Sequence, residues 1–162
     1  KIYVANIRDA LAAADPAGAR TYAENAKAYL AQLDALEAEI RDAIVRIPAE
    51  RRKVITTHEA FGYFGAAYGM RFIAPTGLST DAEPSARDVA RLIAQVKRQK
   101  VPAVFLENAS SDRLMQQIAR ETGAKIGGAL YADSLSPPDG PAPTYIDMMR
   151  NNLRAITGAL GG

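Results

Sequence analysis

The chain has 162 residues, 48% hydrophobic and 23% charged, an ordinary globular composition that excludes disordered and collagen-like classes. Twenty Lys and Arg stand against 18 Asp and Glu, a net charge of +2, and the basic residues are too scattered for a nucleic-acid footprint. The absence of cysteine removes disulfides, thiolate ligands and cysteine nucleophiles together, and no apolar run approaches the ~18 residues of a membrane-spanning helix.

Ile2–Ala14 reads as a short helix stopped by Asp15-Pro16, with Asp15 placed to cap the next helix and Pro16 at its first position. From there Tyr22, Tyr29, Leu33, Leu36, Ile40, Ile44 and Ile47 recur mostly at spacings of three, four or seven, one stripe of a single long helix. Thirty residues at ~1.5 Å each make it about 45 Å long, more than a small domain is wide, which points to a helix shared by two lobes. Pro48 ends it. Lys53–Thr57 is a β-branched strand, followed by a helix from Glu59 to Tyr68 that Gly69 stops, and Met70–Ala74 is a second strand. After a loop rich in Pro, Gly and Ser, a helix runs from Ser85 to about Gln99, its Ser85-Ala-Arg-Asp88 start having the form of a capping box. Ala103–Leu106 is a third strand, Ser111–Thr122 a helix closed by Gly123, and Lys125–Leu130 a fourth strand. A Pro-rich loop from Ser136 to Pro143 leads to an amphipathic helix from Thr144 to about Leu160. Short apolar strands alternating with helices imply βαβ units. The expected fold is α/β, a four-stranded parallel sheet flanked by helices and preceded by the long helix.

In open α/β sheets, ligands bind beyond the carboxyl ends of the strands. The first strand is followed by His58, the only histidine in the chain; the third by Glu107; the fourth, after two intervening residues, by Asp133. A neutral imidazole and a carboxylate suit Zn²⁺, Mn²⁺ or Fe²⁺. Each residue alone has a structural explanation: His58 as a packed polar group, Asp133 as a turn cap, Glu107 as an acceptor for amides near a helix start. Their common edge is what favours a joint site. No phosphate loop, dinucleotide-binding turn or nucleophile elbow is present, and Gly127-Gly128 inside a strand fits close backbone approach. Phe61, Tyr63, Phe64 and Tyr68, at helical spacings, read as core and lobe-interface packing rather than ligand stacking.

Four stretches carry a resemblance. VITTHEAFGYFGAAYGM (Val54–Met70), VFLENASSDRLMQQIARETG (Val104–Gly123), LYADSLSPPDGPAPTYIDMMRNN (Leu130–Asn152) and VANIRDAL (Val4–Leu11) resemble the zinc/manganese/iron solute-binding proteins of ABC importers, the cluster A-I family, over essentially the whole chain. The resemblance implies two α/β lobes joined by a long rigid helix, with the metal held between them for delivery to a membrane permease. It implies capture rather than catalysis, and a periplasmic or membrane-anchored extracytoplasmic protein. Carried over, His58 and Asp133 are metal ligands, and Glu107 stands behind them, orienting His58.

The two remaining ligands, histidines of the N-terminal lobe and one of them in an HAW-type motif, have no counterpart here. Lys1, which is not an initiator Met, is expected on this resemblance to fall just downstream of that motif. The expected organisation is therefore residues 1–14 as a helix left from the N-terminal lobe, 15–48 as the interlobe helix and 49–162 as the C-terminal metal-binding lobe. Such a chain holds half a coordination shell, should bind Zn²⁺ weakly alone, and should expose an aromatic interlobe face through which it can dimerise. A histidine at 58 favours zinc, with manganese or iron as alternatives. Two competing functions use the same residues: a metal-binding adhesin of the same family, and a small α/β enzyme with His58 as general base beside Asp133 or Glu107.

Overall fold

A computed structural model describes residues 1–74, 85–107 and 112–161. The Pro-, Gly- and Ser-rich loop at 75–84, Ser111 at the expected start of the third helix, and residues 108–111 of the ENASSD motif lie outside the described residues. The chain forms two compact units, Lys1–Arg41 and Asp42–Gly162.

In the first unit, α1 (Ile2–Ala14) is followed by a single 3-10 turn at Pro16–Gly18 and by the start of α2 (Ala19–Val45). Asp15 makes no full side-chain cap hydrogen bond to the turn, although the Gly18 amide lies close to its carboxylate. Its Oδ2 accepts a hydrogen bond from the Tyr22 hydroxyl at 2.7 Å, tying the connection to the first turns of α2 instead. Arg41 and Glu37, one turn apart on α2, pair at 2.6 Å. The periodic stripe predicted for this helix includes its buried positions Leu36, Ile40 and Ile44.

The helix stops at Val45, two residues before the predicted end. Arg52 explains the difference: its Nε donates to the Ile47 carbonyl at 2.8 Å and its Nη2 to the Val45 carbonyl at 3.1 Å. One planar guanidinium thereby takes carbonyls that the ended helix leaves without amide partners.

The second unit holds β1 (Lys53–Ile55), α3 (Gly62–Tyr68), β2 (Arg71–Ile73), α4 (Ala86–Gln99), β3 (Ala103–Glu107), α5 (Asp112–Thr122), β4 (Lys125–Leu130) and α6 (Tyr145–Leu160). The four strands form one parallel sheet in the order β2-β1-β3-β4. Ala103, Val104 and Phe105 of β3 are fully buried, as expected for an inner strand covered on both faces. Ile55, Ile73 and Val104 pack with Leu92, Ile93 and Val96 of α4 and with Met115 and Ile118 of α5 into one apolar cluster, while α6 lies on β4. The capping signals hold: Ser85 Oγ and Thr144 Oγ1 accept the amides of Asp88 and Asp147.

The predicted helix at Glu59 begins only at Gly62, because residues 56–60 are drawn into a bend described below. In β4 the pairing steps from Val104↔Ile126 to Leu106↔Ala129, so β4 carries one extra residue at Gly127-Gly128. Gly128 has φ +99°, and a methyl group on Gly127 would overlap the Phe105 ring. The close approach expected of this glycine pair is thus made to an aromatic side chain.

Candidate functional site

The strand order places the site. From β1 the chain crosses to β2 on one side, whereas β3 and β4 lie on the other, so the connections diverge between β1 and β3. A crevice opens at the carboxyl ends of the strands at such a switch point. His58 follows β1, and Glu107 is the last residue of β3.

Thr56 donates its amide to the Ile73 carbonyl at 3.1 Å, prolonging the ladder, and its hydroxyl to the His58 carbonyl at 3.0 Å. The Ala60 amide donates to that same carbonyl, also at 3.0 Å. His58 therefore sits in a tight bend held from both sides. Glu107 reaches across from β3 and completes the hold. Its Oε1 accepts the amides of Thr57 (2.7 Å) and His58 (3.2 Å), while its Oε2 pairs with His58 Nδ1. His58 and Glu107 are only 5% and 4% exposed.

An ionised carboxylate offers acceptors only, so Glu107 keeps a hydrogen on Nδ1, and Nε2, which faces Asp133, is the nitrogen available to a ligand that the two residues would share. Nε2 lies 3.1 Å from Asp133 Oδ2 on the far side of the ring. An ion ~2.0–2.2 Å from both atoms would see them at an angle of roughly 90–100°, within the range of four- to six-coordinate metals. The three predicted residues are thus brought together, with Glu107 behind the imidazole and Asp133 in front of it. Because Glu107 is occupied by two amides and Nδ1, only two potential donor atoms, Nε2 of His58 and Oδ2 of Asp133, face the same point among the described residues. Accordingly, no group of three or more His, Asp or Glu among the described residues is arranged to hold a metal.

His58 is more enclosed than an open half-site suggests, since the Asp133 carboxylate leans on Nε2. The Asp133 side chain is 64% exposed. A depression over this point is lined by Thr56, His58, Phe61, Tyr63, Phe72 and Asp133, among others. Phe61 stacks on Phe72 at 5.1 Å, and Phe64 meets Phe72 at 6.0 Å and Tyr68 at 4.6 Å, so these aromatics pack as expected. Tyr63 is 97% exposed beside the depression.

Two supporting residues escaped the sequence reading. Thr56 was counted only as a strand residue. Asn152 on α6 makes two hydrogen bonds to the main chain of Tyr131, with its Oδ1 accepting the amide (2.9 Å) and its Nδ2 donating to the carbonyl (2.7 Å). Its signal was visible, a polar residue on the apolar stripe of Met148, Ile156 and Leu160.

Residues 1–159 match the family described as ZnuA, zinc-uptake complex component A, periplasmic. The iron-binding protein YfeA of Yersinia pestis is 39% identical over 160 residues, covering 99% of this chain and 51% of that protein. The manganese-binding lipoprotein MntA of Halalkalibacterium halodurans is 36% identical over 158 residues, 98% of this chain and 53% of that protein. Among solved structures, the periplasmic zinc-binding protein TroA of Treponema pallidum superposes with a TM-score of 0.90 at 32% identity, over 97% of this chain and 58% of that one. The chain spans about half the length of the curated relatives it matches.

Proposed function

Since the chain belongs to the family of the periplasmic zinc-uptake component, whose members are binding proteins rather than enzymes, we propose that it is the C-terminal lobe of an ABC-importer solute-binding subunit. Its cargo is a divalent transition metal, passed to a membrane permease outside the cytoplasm. The ligands from this chain are His58 Nε2 and Asp133 Oδ2, and Glu107 fixes the tautomer and direction of His58. The observation that carries this reading is the 3.1 Å between Nε2 and Oδ2, with Nδ1 already engaged by Glu107. Among the described residues, the hydroxyl nearby on β1, that of Thr56, is committed to the His58 carbonyl rather than offered as a nucleophile.

Residues 1–14, 15–48 and 49–162 serve as the helix of a partner lobe, the interlobe helix and the metal-binding lobe. In support, α1 has no buried residue, and its Ile2, Tyr3 and Ile7 are 75%, 81% and 60% exposed. The exposed Tyr63 beside the site fits a face that the partner lobe covers. The same face would pair two copies of the isolated chain, which a concentration-dependent mass in sedimentation would reveal. Zinc is favoured over manganese and iron because the ligand from β1 is an imidazole, which suits zinc, whereas manganese favours oxygen donors.

His58 is the only histidine, so its ring resonances identify themselves. Titrating the chain with Zn²⁺ should move them, with affinity weaker than micromolar because two ligands leave the ion largely hydrated, and His58→Ala should abolish binding. Acidification should weaken binding, since the proton and the metal compete for Nε2. Zinc binding that survives His58→Ala at full strength, or a His58 ring that ignores millimolar zinc, would overturn the assignment.

A further inference from the structure

The buried stripe of α6, Met148, Asn152, Ile156 and Leu160, contains one polar side chain. Asn152 is 3% exposed, and a carboxamide at that depth is tolerated only if its hydrogen-bonding groups are used. Both partners of Asn152 belong to one residue: the amide and the carbonyl of Tyr131. That is the pair of bonds an adjacent strand exchanges with a single residue. Among the described residues β4 is the edge strand of the sheet, and its last pair with β3 is Glu107↔Leu130. The Asn152 side chain therefore acts as a one-residue strand, carrying the order of the sheet one position further. Two residues on lies Asp133, whose side chain is 64% exposed and has little packing of its own to hold it near His58.

We infer that Asn152 is a positioning residue of the metal site, setting the distance from Asp133 to His58 through the main chain of Tyr131. The inference rests on the reading of His58 and Asp133 as ligands. A purely structural asparagine would affect stability and leave metal affinity alone, which separates the two roles.

The test compares Zn²⁺ dissociation constants and melting temperatures of the 162-residue chain and three variants, with titrations run well below each melting temperature. Asn152→Ala removes both bonds and should weaken zinc binding by about 10-fold or more, the usual effect of losing a group that orients a ligand. Asn152→Asp keeps an acceptor for the Tyr131 amide but loses the donor, and should fall in between. Ile118→Val, in the apolar cluster, should lower the melting temperature and leave the zinc constant unchanged. In the unaltered chain, zinc should also shift the Asn152 carboxamide and Tyr131 amide resonances, a readout that does not depend on any variant folding. Folded Asn152 variants that bind zinc like the parent, or a carboxamide resonance that stays fixed while the His58 ring moves, overturn the positioning role alone. Absence of any His58-dependent zinc binding removes the ligand assignment and this inference with it.

Discussion

Glu107→Gln tests the geometry with the least change of shape. The carboxylate serves three donors: the Thr57 amide at 2.7 Å, the His58 amide at 3.2 Å and the His58 Nδ1 hydrogen. Glutamine has one acceptor oxygen and one NH₂, so in either orientation a donor must face a donor. If its oxygen keeps the two backbone amides, its NH₂ confronts Nδ1, and the ring relieves the clash by moving its hydrogen to Nε2, the atom proposed to bind the metal. If the amide flips, Nδ1 stays satisfied but two buried main-chain donors lose their acceptor, at about 1–3 kcal/mol each. The first arrangement disturbs the fold less and should prevail. Zinc affinity should then drop 10- to 100-fold, about 1.4–2.7 kcal/mol, with a smaller loss of stability. Two-bond ¹⁵N–¹H spectra of the single histidine would report the tautomer, and a zinc titration followed on the same signals would report the affinity. A variant that keeps the Nδ1–H tautomer and binds zinc as the parent does would refute the role given to Glu107.

Two further perturbations address the scaffold. Gly127→Ala drives a methyl into the buried Phe105 ring and should destabilise the chain by about 1–3 kcal/mol in urea unfolding; an unchanged midpoint would mean that the ring moves aside freely. The Tyr22 hydroxyl, then the Gly18 amide, hold the Asp15 carboxyl below the usual carboxylate range. A lowered pKa in the folded state stabilises above the ordinary carboxylate pKa, and that contribution fades as pH falls through the lowered value. Tyr22→Phe should move the Asp15 titration, followed by carboxyl ¹³C shifts, upward towards its ordinary position, and a curve that does not move would contradict the bond at 2.7 Å.

The architecture was legible because alternating β-branched runs and amphipathic helices leave few arrangements, and strand ends deliver their next residues to one edge. His58, Glu107 and Asp133 could be picked out on that rule before any distance was known. Local signals failed where a distant side chain outbid them. Asp15 has the chemistry of a cap but is drawn to Tyr22 seven residues on. The helix expected from Glu59 loses its first turn because Thr56 and Ala60 converge on the His58 carbonyl and Glu107, from another strand, holds the preceding amides. The long helix ends early because Arg52 lies beyond it in sequence but beside it in space. Tyr63 fits the helical spacing of its aromatic neighbours, yet spacing does not say which face of a short helix meets solvent. Asn152 stands out as a polar residue on the apolar stripe of α6, but its partners are main-chain atoms of Tyr131, which the residue pattern does not name.

The grip of Glu107 on the bend has a consequence for how such a site can diversify. Two of its three bonds go to peptide nitrogens, which every residue except proline provides, and the bend is closed further by Thr56 and Ala60 acting on a peptide oxygen. The curvature of the segment is therefore largely indifferent to the side chain it displays. On the proposed reading of His58 as a ligand, position 58 would serve as an interchangeable socket, where a change of donor atom would retune which ion is preferred while the surrounding chain keeps its course.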